Sequence, residues 1–198
     1  MFQTASGVTI PFPDKILEGY QVTDNGFLIN LSFKKLRSFV DDFIDGLVEP
    51  LRFVLEIPLK KDEEDELRKS NTDPFHKKIC SLDWQSKAQI VDLMNNYGEL
   101  LLNDGMSNFA IYSREPNDGI FVQKYKIISI FSQNPAKFID FLDKYDLCET
   151  ERLVTVWETF THETPGETRA VTIDGIGIYN LYDKLVKLGM YIVKVAED

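Results

Sequence analysis

The chain has 198 residues, of which 43% are hydrophobic and 27% charged, enough to bury a core without disulfide or metal staples. Its 32 acids and 22 bases give a formal net charge of -10, which repels a phosphate backbone, points away from nucleic acid and favours solubility or a basic protein partner. No apolar run is long enough to cross a bilayer, and MFQTASGVTIPFPDK lacks a basic start followed by an apolar segment, so the expectation is a cytoplasmic protein with no membrane association.

In chain order, Asn25-Gly26 between YQVT and FLINL predicts a two-residue hairpin with positive φ at both turn positions. A helix follows from Ser32 as cap, burying Phe33, Leu36, Phe39, Val40, Phe43 and Leu47 and turning Arg37, Asp41 and Asp45 to water. LRFVLEIPL and FHKKICSL form a second strand pair across the charged connection 60–73, which has room for a helical turn. Asp83 is then the expected cap of a helix carrying Trp84, Ala88, Val91 and Met94 inward.

Pro116-Asn117-Asp118-Gly119 reverses the chain between NFAIYSR and IFVQKYKIISIF. Ser132 is read as the cap of a helix burying Phe138, Phe141, Leu142 and Tyr145. Pro165-Gly166 separates LVTVWETF from TRAVTI as a further hairpin, and Asp174 caps a helix with Ile178, Leu181, Leu185 and Leu188 on its apolar side. Gly189 stops that helix, and MYIVKV is a closing strand.

These elements make about four strand-strand-helix modules plus a C-terminal strand. The fold class is α+β, with helices packed on a largely antiparallel sheet. The chain reads as a single compact domain, 1–198, with pseudo-equivalent halves 1–105 and 106–198 meeting near LNDGMS as the alternative.

The chemistry-bearing motifs are few. TIDGIGIYN resembles a phosphate turn, but a dinucleotide fingerprint needs a third glycine where Asn180 stands, and Asp174 would oppose a phosphate. Helix capping is the reading preferred. Cys80 and Cys148 lack close pairing, and the acidic run Asp62, Glu63, Glu64, Asp65 and Glu66 lacks the alternation and glycine of a calcium loop. No cofactor and no metal are therefore expected.

His76 with Cys80, and Glu158 with His162, lie four apart on predicted strands, about 13 Å along the chain and too far for one ion. Asp41 and Asp45 share a wet helix face, and QKYK at 123–126 reads as an edge or solvent face. Trp157 and Phe160 fall on opposite faces of a predicted strand, with Glu158 beside the tryptophan.

The resulting expectation is a non-enzymatic acidic interaction module, of inhibitor or immunity type. Its basic protein partner would be met by Asp62, Glu63, Glu64, Asp65 and Glu66 as a docking arm, and by Trp157 and Glu158 as a hot spot. Two alternatives stand beside it: an enzyme whose site gathers dispersed Asp and Glu with a histidine at a cleft between modules, and an oligomeric scaffold pairing through an exposed strand such as MYIVKV.

Overall fold

The computed structural model describes residues 2–198. Its elements are β1 (Val8–Thr9), β2 (Gly19–Thr23), β3 (Gly26–Asn30), α1 (Phe33–Gly46), β4 (Leu51–Pro58), α2 (Lys61–Leu67), β5 (His76–Gln85) and α3 (Lys87–Asn103). They continue with β6 (Asn108–Ser113), β7 (Gly119–Val122), β8 (Ile128–Phe131), α4 (Ile139–Asp143), β9 (Glu167–Thr168), α5 (Ile178–Lys187) and β10 (Tyr191–Glu197). Eight strands form one antiparallel sheet in the order β10-β5-β4-β6-β7-β8-β3-β2, and β1 pairs with β9 in a small second sheet. The fold is α+β, with helices packed on a large antiparallel sheet.

Strand periodicity explains why one side of the sheet is core. Pairing places Ile192, Cys80, Leu55, Phe109, Val122, Ile128, Ile29 and Tyr20 in one row across all eight strands. All but the edge residue Ile192 are buried, under Leu36, Phe39 and Phe43 of α1, Ile90 and Met94 of α3, and Leu181 and Leu185 of α5. Each large apolar side chain so buried contributes about 1.5–3 kcal/mol.

The adjacent row, Tyr191, Ser81, Val54, Ala110, Phe121, Ser129, Leu28 and Gln21, faces the opposite side and is mixed in polarity. There a smaller cluster of Ala5, Val8, Ile10, Ile16, Ile127 and Val156 packs against Leu28. The strands interleave along the chain: β4 pairs with β6, β3 with β8 and β5 with β10, so strands from both sides of LNDGMS share one sheet.

Several local readings are corrected. The first hairpin turns on Asp24-Asn25, one residue earlier than expected, because Gly26 is already in the ladder opposite Thr23. Gly26 is needed there for a different reason: its φ is +150°, and a Cβ would lie 1.9 Å from the Ile130 carbonyl oxygen of β8.

β5 runs on through Asp83 to Gln85, so α3 is capped by Ser86 instead. The Ser86 hydroxyl accepts from the Gln89 amide at 3.2 Å, and the Gln89 side chain accepts from the Ser86 amide at 2.8 Å. The inward face becomes Ile90, Leu93 and Met94, while Trp84 is 65% exposed at a bulge with φ +61°.

Ser132 does not cap α4; its hydroxyl donates to Asp118 at 2.6 Å and accepts from the Asn134 amide at 2.9 Å. The helical stretch buries Leu142 and Tyr145 and leaves Phe138 and Phe141 half-buried against the core. Phe138, Phe141 and Tyr145 meet Phe43 and Phe39 of α1 at centroid distances of 4.8 to 5.7 Å.

QKYK is a turn between β7 and β8, with Tyr125 and Lys126 at φ +58° and +61°. Far from facing solvent, Lys126 is buried, its ammonium donating to the carbonyls of Leu101, at 3.1 Å, and of Asp104 at the end of α3. Pro165-Gly166 joins no strand pair, since 156–159 is a short 3-10 turn and β9 pairs with β1.

In TIDGIGIYN, Asp174 and Gly175 both have positive φ, and Ile173 and Ile176 exchange backbone hydrogen bonds of 3.0 and 2.8 Å. The motif is a tight reversal. The cap of α5 is Gly177, whose amide donates to the Asn180 side chain at 3.0 Å. Leu188 lies past the last turn of the helix and is exposed.

Candidate functional site

The acidic run is helix α2, laid between the end of β4 and the start of β5. Three of its five acids are paired within the chain, Glu63 and Glu64 against the sheet and Asp65 at the surface. The Lys60 amide donates to Glu63 at 3.1 Å, closing the first turn. Glu63 also takes the Lys78 ammonium, which with that amide holds its carboxyl below the usual carboxylate range despite partial burial. Asp65 pairs with Lys61 at 2.9 Å.

Glu64 is only 7% exposed and accepts from the His76 amide at 3.1 and 3.2 Å and from His76 Nδ1 at 2.9 Å. Among the described residues, only Asp62 and Glu66 of the run have no side-chain ion pair.

Beneath α2 lies a cavity of about 550 Å³ bounded by α2, the Leu59 and Phe75 ends of the β4–β5 connection, Met106, Lys124, Tyr179 and Asp198. His76 lines it, oriented by Glu64 in the manner of a carboxylate-histidine pair. No Ser, Thr or Cys side chain among the described residues hydrogen-bonds to His76, so the arrangement has an oriented base but no adjacent nucleophile. Cys80 is buried, and burial pushes its thiol up to about 11. No group of three or more His, Cys, Asp or Glu among the described residues could hold a metal ion. His162 is exposed and lies outside every strand.

Trp157 and Glu158 lie on the 3-10 turn, not on a strand, which changes their meaning. Trp157, Phe160 and Tyr125 form a triad on one side of that turn, with centroids 4.8 to 5.5 Å apart in edge-to-face geometry. Gly166 lets the chain cross the triad, since a Cβ there would sit 2.2 Å from the Phe160 ring. Trp157 remains 51% exposed. Glu158 is internally engaged: hydrogen bonds from the Thr155 hydroxyl and amide cap the turn and hold its carboxyl low.

Two further surface features bear on the site, the first outside the residues singled out in the sequence and the second the MYIVKV strand. Asp140, Asp143, Asp146, Glu149 and Glu151 are all exposed, and none has an ion-pair partner among the described residues. The stretch adjoins α1, where Asp42 accepts from the Lys144 ammonium at 2.6 Å and the Tyr145 hydroxyl at 2.5 Å. Those two bonds hold the Asp42 carboxyl low, while burial, then Glu149 and Asp143, raise Tyr20. The signal was legible as a window of five acids against Lys144 alone.

The second feature is the edge strand β10, where Tyr191, Ile192, Val193 and Val195 are exposed. A bulge between Ile192 and Lys194, and Lys194 itself, interrupt that edge, devices that discourage pairing with another chain.

Across the described residues, no helix is long and apolar enough to cross a membrane. No protein-family model, curated protein or solved structure matches the chain.

Proposed function

We propose that this protein is a non-enzymatic interaction module, of inhibitor or immunity type, that docks a basic protein partner through the acidic surface of residues 140–151 and the adjoining outer face of α1. The observation supporting this reading is the set of five exposed acids, Asp140, Asp143, Asp146, Glu149 and Glu151, that have no ion-pair partner among the described residues. Carboxylates already paired inside a fold gain little from a second cation, whereas unpaired ones create a field that steers a basic partner and rejects acidic ones. A protein that occludes a basic cleft, such as the nucleic-acid channel of a nuclease, would present such a surface. On this reading the docking role passes from α2 to residues 140–151, with Trp157 as a separate aromatic contact.

The test is affinity capture from the native host with the wild-type protein, with Asp140→Lys/Asp143→Lys/Glu149→Lys and with Asp62→Lys/Glu66→Lys as control. A stoichiometric basic protein retained by the wild type and the control, lost by the triple variant and released by moderate salt, is the expected result. Equal capture by the triple variant, or a captured partner that is acidic, would refute the proposal.

A further inference from the structure

The cavity under α2 has a chemistry at odds with the rest of the molecule. In a chain of net charge -10, its wall carries Lys61, Arg68 and Lys124, and each carboxylate in that wall is already committed. Asp65 is held by Lys61 at 2.9 Å, Asp198 by Lys124 and, at 3.7 Å, by Lys77, and Glu64 by His76 at 2.9 Å.

Arg68 is the cation left over. Its Nε donates to the Asp73 carbonyl at 2.9 Å and one terminal nitrogen to the Asn71 carbonyl at 3.0 Å, so it has no carboxylate partner, and Nη1 has no acceptor among the described residues. The guanidinium lies 3.9 Å from the centroid of the Phe75 ring, a stack that fixes its plane and leaves its open edge for a bidentate acceptor. Beside it the wall turns apolar at Leu59, Phe75 and Met106, with the Tyr179 ring adding an aromatic face.

A cavity of about 550 Å³ is within the size range of small-molecule sites, and an apolar wall with one convergent, oriented charge is their usual composition. We propose that it binds a small organic carboxylate with an apolar or aromatic body, the carboxylate on Arg68 and the body against Phe75 and Met106. Guanidinium-carboxylate geometry favours this class over a metal cation, which Arg68 repels, and over inorganic phosphate, which would leave the apolar wall unfilled. The site is independent of the acidic surface at 140–151.

The experiment is methyl NMR of the full chain, following Met106 during titration with 3-phenylpropionate, with the isosteric cation 3-phenylpropylamine and with inorganic phosphate. Saturable shifts of Met106 with 3-phenylpropionate alone are expected. Arg68→Gln and, separately, Phe75→Ala should each weaken binding by on the order of tenfold. Phe75 is largely exposed, so its variant serves if the arginine variant fails to fold. Asp140→Lys/Asp143→Lys/Glu149→Lys should leave the titration unchanged, which separates this site from the docking surface. Absence of a Met106 shift at millimolar 3-phenylpropionate, equal binding of the amine, saturable binding of phosphate, or wild-type affinity in a folded Arg68→Gln or Phe75→Ala chain would overturn the proposal.

Discussion

Helix α2 and the stretch 140–151 each carry five acids, yet they do opposite things with them. In α2 the acids are contiguous and flanked by Lys60, Lys61, Arg68 and Lys69, and the fold turns Glu63 and Glu64 inward onto Lys78 and His76 while Asp65 pairs with Lys61 at the surface. In 140–151 they are spread among apolar residues that face the core, with one lysine between them. Helical and loop spacing there directs Phe141, Leu142, Tyr145 and Leu147 toward the core and leaves every acid on the wet side. A dense run of like charge here finds cations within its own chain, and a diluted one marks the outward field. The useful sequence quantity is net charge over a window, not the length of the run.

The contrast between charge committed to the interior and charge given to solvent can be probed at several points. The largest effect belongs to Lys126, the buried cation of the β7–β8 turn, whose ammonium burial pushes down to about 8 from 10.5. Between those values the unfolded chain binds more protons than the folded one, so the Lys126 contribution to stability rises with pH, by about 3 kcal/mol in all. Cys80, raised to about 11 from 9.0, acts in the opposite sense over an overlapping range. The difference between wild type and Lys126→Met in urea unfolding, followed from pH 7.5 to 10.5, removes that contribution. A flat difference would mean that the lysine is not desolvated.

Glu64→Ala comes next. It strands the His76 amide and ring nitrogen in a nearly closed site, and should cost about 2 kcal/mol by denaturant unfolding. Asp62→Ala, on the same helix but facing water, should stay within about 0.5 kcal/mol. Equal losses would erase the distinction drawn within α2.

An acid titration sharpens it further. Because Lys78 holds the Glu63 carboxyl low, the contribution of that pair is present above the ordinary glutamate range and disappears as pH falls through the lowered value. Glu63→Gln should accordingly destabilise at neutral pH and flatten the acid limb of the stability curve. Smallest of all is the effect of Asp140→Lys/Asp143→Lys/Glu149→Lys on folding. Thermal unfolding should change by no more than about 0.5 kcal/mol per site and move toward higher stability at low salt, as like-charge repulsion is relieved.

The sequence made the fold legible wherever a period was long enough to be unambiguous. Leu36, Phe39, Val40 and Phe43 define the α1 face, and Phe53, Leu55 and Ile57 alternate as β4 should. It misled where two local signals competed. Asp83 is a good cap, but β-sheet pairing with β4 carries the strand past it, and Ser86 with Gln89 offers a complete capping box three residues later. VTVWETF has strand propensity, yet Thr155 and Glu158 form their own box and coil it into a 3-10 turn, bringing Trp157 and Phe160 together instead of apart.

The cavity was less legible still. His76 and Glu64 are neighbours through the closure of the β4–β5 connection over α2, and Arg68 becomes distinctive only when its companions are seen to be paired. Neither relation has a spacing that could be read along the chain.

One corner of the molecule also bears on how the chain reaches this state. Gly7, Asn103, Gly105 and Arg169 exchange backbone hydrogen bonds of 2.9 to 3.0 Å, at a point so crowded that a Cβ on Gly105 would lie 2.0 Å from the Gly7 carbonyl oxygen. Three segments drawn from the beginning, middle and later part of the polypeptide must all have arrived before that knot can close. Loop-closure entropy makes such an event slow and late, so the small sheet of β1 and β9 should be the last part to gain protection from hydrogen exchange during refolding, after the hairpins of the large sheet.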